Sequence, residues 1–151
     1  MHTITSPTKM SLLEEKEKVL AAISQEAYRY ERYQVPFCLA AINTENTRHF
    51  DYIKKYIRQT DILIPLNDHC SCIALASTEI GDAIKMGENF IRDHATLGVD
   101  NSIFIGVTSV KHTHLNYDIV SRAFYALDKA REQNISTVED DNILENMKAC
   151  I

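Results

Sequence analysis

From Leu12 onward, apolar residues return every three or four positions, at Leu12, Leu13, Val19, Leu20, Ile23, Ala27 and Tyr30. That spacing predicts an amphipathic helix over 11–34. Ser11 with Glu14 three residues later has the form of a capping box. Pro36 closes the helix, because a residue preceding proline is driven out of the helical region. Phe37-Cys38-Leu39-Ala40-Ala41-Ile42 is then a continuous apolar run and reads as a strand buried on both faces. A short helix follows, with Phe50, Ile53 and Ile57 on one side. Ile62 to Leu66 and Ser71 to Ala76 are two further apolar strands, and the Asn67-Asp68 pair between them is turn chemistry for an antiparallel hairpin. Thr78 is placed to cap a helix carrying Ile80, Ala83, Ile84, Gly87, Phe90 and Ile91. Ser102 to Ser109 is a fourth strand, and Tyr117 to Glu132 is a strongly periodic helix. A short strand sits around Ser136 to Val138, and Ile143, Leu144 and Met147 predict a terminal helix.

The order is helix, β, helix, β-hairpin, helix, β, helix, β. It describes an α+β sandwich of the ferredoxin-like kind, with a mostly antiparallel sheet of about five strands and helices on one face. The expected organisation is a flexible tail over 1–9, one domain over 10–140 and a C-terminal helix or tail over 141–151.

Length and composition agree with one globular domain. The chain has 151 residues, 45% apolar and 25% charged, enough to bury about 70% of its unfolded surface in one core. Sixteen Lys and Arg against twenty-one Asp and Glu leave a net charge of −5. Bulk electrostatics therefore disfavours a nucleic-acid polymer or an anionic membrane as partner, and an anionic ligand would need a local basic pocket. No apolar run approaches the roughly 20 residues that span a bilayer, and Met1 to Lys9 lack a signal-peptide core. Cys38, Cys70, Cys72 and Cys150 read as reduced thiols of a cytoplasmic protein.

Four stretches carry a family resemblance. Glu31-Arg32-Tyr33-Gln34-Val35-Pro36 approaches the first strand, and Arg58 to Leu66 leads into the hairpin. Ile103-Phe104-Ile105-Gly106-Val107-Thr108-Ser109 resembles an S-I-G-V-A strand. Ala123-Phe124-Tyr125-Ala126-Leu127-Asp128-Lys129-Ala130-Arg131 resembles an A-D-x-A-L-Y-x-A-K helix. Together, over residues 10 to 140, they resemble the GGDEF domains of diguanylate cyclases, and the truncated GGDEF-like cyclic di-GMP receptor domains such as that of the Pel polysaccharide receptor. The resemblance implies a GGDEF-type sandwich with helices packed around the sheet.

The departures from that family bear on function. Asn67-Asp68-His69-Cys70-Ser71 stands where the family has its G-G-[DE]-E-F signature. Side chains at Asn67 and Asp68 intrude where the family's glycines let backbone approach the substrate. His69 and Cys70 are not the oxygen ligands that Mg²⁺ requires. Asn43 stands at the family's other metal aspartate, Glu45 is out of register, and the segment from Asn43 to Asp61 is about half the family's length. The chain is expected not to be a cyclase, to have no catalytic residue and to need no metal or cofactor.

The family's product-binding motif, R-x-x-D five residues before the signature, is matched by Arg58-Gln59-Thr60-Asp61. An arginine fork can read the O6/N7 edge of guanine or a phosphate, and a carboxylate can accept from N1 and N2. Lys54 and Lys55 precede Arg58 by four and three positions and are expected to share its helix face. Arg92 is one turn beyond Asn89, where some family members carry a second arginine. Arg131 lies at the family's phosphate-contacting cation, but its companion position is Ile135, and it reads as a solvated residue near a helix C-terminus.

Three other groupings carry less. His69, Cys70 and Cys72 suggest zinc, yet on a strand the two cysteines face away from the histidine, and His112 and His114 lie in a separate loop. The same opposition argues against a Cys–His nucleophile. Tyr28, Tyr30 and Tyr33 suit a core edge or a dimer contact better than a ligand patch. The expected function is a catalytically inactive GGDEF-like receptor for cyclic di-GMP, using Arg58 and Asp61 with Lys54, Lys55 and Arg92. The alternative is a nucleotide-free module that binds a protein partner or a second copy of itself. An open, unpaired Arg58 would favour the receptor; an Arg58–Asp61 pair closed under a helix would favour the module.

Overall fold

The computed structural model describes residues 9–45, 49–96, 103–111, 118–133 and 136–141. The elements run α1 (Lys9–Ala22), α2 (Ser24–Tyr33), β1 (Phe37–Thr44), α3 (His49–Tyr52) with a 3₁₀ turn over Ile53–Lys55, β2 (Ile62–Asn67), β3 (Cys70–Ala76), α4 (Ile80–Thr96), β4 (Ile103–Ser109), α5 (Ile119–Arg131) and β5 (Thr137–Asp140). The strands form one sheet in the order β2-β3-β1-β4-β5. All neighbours are antiparallel except β4 and β5, which α5 joins as a parallel crossover.

Every residue of β1 is buried, as its continuous apolar run requires of a strand flanked by β3 and β4. Its side chains still alternate. Phe37, Leu39 and Ala41 enter one core with Val19, Ile23, Val120, Phe124 and Leu127. Cys38, Ala40 and Ile42 enter the other with Ile53, Ala83 and Phe90. Helices therefore cover both faces, α1 and α5 on one and the 3₁₀ turn and α4 on the other, where the periodicity alone had suggested one face. An unbroken apolar strand does not reveal how many layers it separates.

Several boundaries differ from expectation for local reasons. The first helix is interrupted at Ile23, although Ile23 N still donates to Val19 O and Ala27 N to Ile23 O, each at 3.0 Å. α1 already includes Lys9, so Ser11 lies inside it and is not its cap. β1 continues to Thr44 because Asn43 and Thr44 still pair with β3 or β4. Pro65 sits on the edge strand β2, where a missing N–H is tolerated, and one extra residue bulges between Pro65 and Asn67. Ile57 lies beyond the 3₁₀ turn but still packs on the second core. Of the C-terminal helix or tail expected over 141–151, residues 142–151 lie outside the described residues, as do His112, His114 and Cys150; among the described residues no helix is long and apolar enough to cross a membrane.

Two contacts fix α5. Gly106 on β4 faces it so closely that a Cβ there would stand 2.1 Å from Leu127 N and 2.6 Å from Ala123 O. At the other end, buried Arg122 donates from Nη1 to Thr108 Oγ1 at 3.0 Å, Ser109 O at 2.9 Å and Asp141 Oδ2 at 3.3 Å. Thr108 donates to the same Asp141 oxygen at 2.6 Å. Asp141, expected to open a tail, is thus part of the core.

α1 is held by two lysines. Lys18 Nζ donates to Pro65 O at 2.7 Å, and Lys16 Nζ lies 2.6 Å from Asp118 Oδ2. Asp118 also caps α5, accepting from Ser121 N at 2.9 Å.

Gly106→Ala should destabilise the domain by about 3 kcal/mol or more, since backbone on both sides must move; urea unfolding measures it. A second expectation concerns acid. Burial raises the Asp118 pKa, but bonds from Lys16 and Ser121 outweigh it and hold the group below its ordinary 3.8. A depressed carboxylate adds stability above its unfolded value and loses it as pH falls through the folded one. Asp118→Asn should therefore lower urea midpoints at neutral pH and converge with the parent below pH 3.8.

Candidate functional site

The hairpin turn closes onto the end of β1. Asn67 pairs with Cys70, leaving Asp68 and His69 as the turn, and Asn67 Oδ1 accepts from His69 N at 2.9 Å. The carbonyl of His69 accepts from Thr44 N at 2.9 Å and from Asn43 Nδ2 at 3.3 Å. The His69 ring returns the contact, with Nδ1 3.0 Å from Thr44 O. A carbonyl only accepts, so Nδ1 carries the proton in this bond. Asn43 is buried, and its Oδ1 has no hydrogen-bond partner among the described residues.

This is the corner where the resemblance would place two metal-binding carboxylates. At the positions the resemblance assigns to those carboxylates stand a neutral amide, an imidazole already bonded to backbone, and the thiol of Cys70. Burial pushes that thiol up to about 12, and Cys72 beside it rises well above its ordinary value. Both cysteines stay protonated at neutral pH and pack in the core cluster that contains Leu39 and Phe124. The set does not fit Mg²⁺, which takes hard anionic oxygen. The sequence expectation that Cys70 and Cys72 share a face is met, and His69 turns instead to Thr44.

At the other end of the hairpin, Arg58 and Asp61 form a turn, with Asp61 N donating to Arg58 O at 3.0 Å. Asp61 is 1% exposed at its side chain. Its Oδ1 accepts from Ala76 N at 3.0 Å and Arg58 Nη2 at 3.1 Å. Its Oδ2 accepts from Arg58 N at 2.7 Å and from Nε at 3.4 Å. Arg58 Nη2 also donates to Ala76 O and, at 2.8 Å, to Thr78 Oγ1. The guanidinium is thereby fixed in orientation while the side chain stays 56% exposed. The arrangement lies between the two expected cases, since the pair is closed but solvent reaches the arginine.

The other expected cations are placed differently. The helix ends in the 3₁₀ turn at Lys55, and Arg58 follows in irregular chain, so Lys54 and Lys55 do not share a helix face with it. A segment too short for a second helical turn cannot carry the i, i+4 relation. Lys55 lies 5.0 Å from the Tyr52 ring. Arg92 is on α4, with Nε 3.5 Å from Asp93 Oδ1. Arg131 ends α5, as expected, but its side chain is only 19% exposed and is not a solvated residue. Of the tyrosines, Tyr30 packs against the core, while Tyr28 and Tyr33 are 57% and 62% exposed.

Solved structures with the same topology exist. An active GGEEF domain of a diguanylate cyclase from Vibrio cholerae matches with a TM-score of 0.70 and 18% identity, over 82% of this chain and 94% of that one. The chain has the fold of a GGDEF domain. The GGDEF domain of DgcB from Caulobacter crescentus, solved in complex with c-di-GMP, matches at TM-score 0.67 and 9% identity, over 81% and 87% of the two chains. Diguanylate cyclase SiaD from Pseudomonas aeruginosa, solved with its activator SiaC, matches at 0.67 and 17%, over 81% of this chain and 56% of that one. No family model matches the sequence, and no curated protein does.

Sequence reasoning found Arg58 and Asp61 but missed what seats them. Thr78, expected to cap α4, instead donates its hydroxyl to Ala76 O at 2.8 Å and accepts from Arg58, while Glu79 O receives the amides of Asp82 and Ala83. The Thr44–His69 clamp left no motif either, because two of its bonds use main-chain atoms.

The unequal burial of the pair predicts unequal effects. Asp61→Ala leaves the Ala76 amide unsatisfied and should cost about 1–3 kcal/mol. Arg58→Ala leaves Asp61 both of its amide donors and opens it to water where the guanidinium lay, and should cost less, about 1 kcal/mol. Urea titration of both variants checks the order.

Proposed function

We propose that this chain is a GGDEF-fold domain without cyclase activity that serves as a receptor for cyclic di-GMP, with Arg58 as the contact. The observation that carries the receptor role is the seat of Arg58. Three acceptors, the Asp61 carboxylate, Ala76 O and Thr78 Oγ1, set the guanidinium plane before any ligand arrives, and more than half of the side chain remains in water. A guanidinium presented at the surface can meet a guanine edge or a phosphate and exchange the bonds of its seat for those of the ligand. The DgcB domain of the same fold was solved with c-di-GMP, which supports the choice of ligand.

The absence of cyclase chemistry is supported by the donor set of the hairpin corner. Asn43, His69 and a protonated Cys70 offer no carboxylate pair to hold Mg²⁺ against substrate phosphates. The exposed basic side chains of Lys54, Lys55 and Arg92 add general attraction for a dianion and need not touch it.

A second reading has its own observation. Asp61 is buried and its oxygens are fully engaged, so a guanine's N1 and N2 hydrogens find no acceptor there in this conformation. That favours a nucleotide-free interaction module, whose surface would include the exposed Tyr28 and Tyr33 of α2. SiaD, of the same fold, was solved with an activator protein.

Calorimetric titration with cyclic di-GMP separates the two. The receptor reading expects saturable heat that Arg58→Ala weakens at least about tenfold, a loss of about 1.4 kcal/mol. It also expects no cyclic di-GMP from GTP and Mg²⁺. Absence of binding at high micromolar ligand, by heat and by equilibrium dialysis, would leave the interaction module. Product formation would overturn both.

A further inference from the structure

The turn that seats Arg58 also forms a wall beneath α2. Ala76 and Ser77 line a cavity of about 10 Å³, one water in size, together with Glu26 and Arg29 of α2 and Val35, Pro36 and Phe37. Two departures from relaxed structure meet there. Ser77 has φ of 50°, a left-handed backbone on a residue with a side chain. Glu26 is only 8% exposed, and its Oε1 is buried without a hydrogen-bond partner among the described residues. A buried carboxylate oxygen lacking a donor makes this seat of α2 a strained one.

Ser77 is held in its conformation from the Arg58 side. Ala76 N donates to Asp61 Oδ1, and Ala76 O accepts from Arg58 Nη2 and Thr78 Oγ1. Arg58 also donates to Thr78, so it bonds to the residues on both sides of Ser77. Beneath the turn, Cys38 Sγ donates to Thr78 O at 3.3 Å, which ties the following residue to β1.

We propose that the Ala76–Thr78 turn couples Arg58 to α2, so that a ligand drawing the guanidinium away from Ala76 O and Thr78 releases Ser77 and loosens α2. The functional direction rests on the receptor reading above; the mechanical coupling does not. The bistable element is the turn itself. With Arg58 in place Ser77 is kept left-handed and Glu26 is shut in. With Arg58 drawn off, Ser77 relaxes, the cavity opens and the Glu26 carboxylate gains water. The output is the exposed face of α2, where Tyr28 and Tyr33 stand with Arg32, whose guanidinium lies 5.8 Å from the Tyr33 ring. Ligand occupancy would thus be read on a helix rather than at the hairpin turn.

Amide hydrogen exchange on the full chain tests this, with α5 as internal reference. In ligand-free protein, Arg58→Ala should speed exchange across Ser24–Tyr33 on the order of tenfold and leave α5 unchanged. Arg58→Lys, which keeps charge but loses the fork, should do the same and serves if the alanine variant does not fold. Adding Ser77→Gly to either variant should bring α2 back toward the parent rate, because glycine holds a left-handed turn without strain. Parent-like exchange of α2 in both Arg58 variants would overturn the coupling, as would an equal rise in α2 and α5. A ligand arm distinguishes the two readings. Cyclic di-GMP that binds by calorimetry should raise α2 exchange; binding with α2 unmoved overturns the coupling and spares the receptor. No binding, with α2 still loosened by Arg58→Ala, overturns the receptor and spares the coupling.

Discussion

The whole arrangement depends on β1 having no exposed residue. A strand buried on both faces must have its backbone satisfied by neighbours along its full length, and β3 and β4 do this from Phe37 to Thr44. The demand is sharpest at the strand's end, where Asn43 and Thr44 are polar and still buried. A carboxylate at Asn43 would carry a charge into that corner and need a cation to compensate it. An amide instead donates to the His69 carbonyl, and the histidine folds back on Thr44. The hairpin turn is therefore set by what the end of the central strand requires.

The same strand passes its constraint to the opposite end of the hairpin. Cys38, one residue inside β1, has its thiol pushed up to about 12 by burial and donates to Thr78 O. Thr78 in turn receives Arg58. Seen from the core outward, the arginine's seat is built on main-chain groups of the β3–α4 connection, with Asp61 filling the remaining donors. A rigid position for a long, solvated side chain is costly in conformational entropy, and here several fixed acceptors offset that cost.

Most of the fold was legible because apolar periodicity and turn chemistry are local. The five strands and the main helices lie within a few residues of where the pattern puts them, and Gly106 lies within a motif whose reason emerged only in three dimensions, as the point where α5 touches β4. What stayed hidden depended on main-chain partners or on layer count. The break at Ile23 has no proline or glycine to announce it, and helices on two faces leave the same imprint on β1 as helices on one. Lys54 and Lys55 were grouped with Arg58 by a helical spacing that the chain abandons at Lys55. At the site, the side chains of Arg58 and Asp61 could be named from sequence, whereas Ala76 O and the Ser77 conformation could not.

Burial also changes what the retained R-x-x-D motif means. Asp61 binds the Ala76 amide, the Arg58 amide and the guanidinium at once, so stability alone is sufficient reason for an aspartate at that position. Its presence is therefore not an argument for a ligand. Arg58 is different. Without the arginine, Asp61 would keep both backbone amide donors and meet water where the guanidinium lay, so the carboxylate alone does not require a planar five-donor fork at that site. Under the receptor reading, the functional weight of the motif would fall on the arginine and on the half of its side chain that meets water.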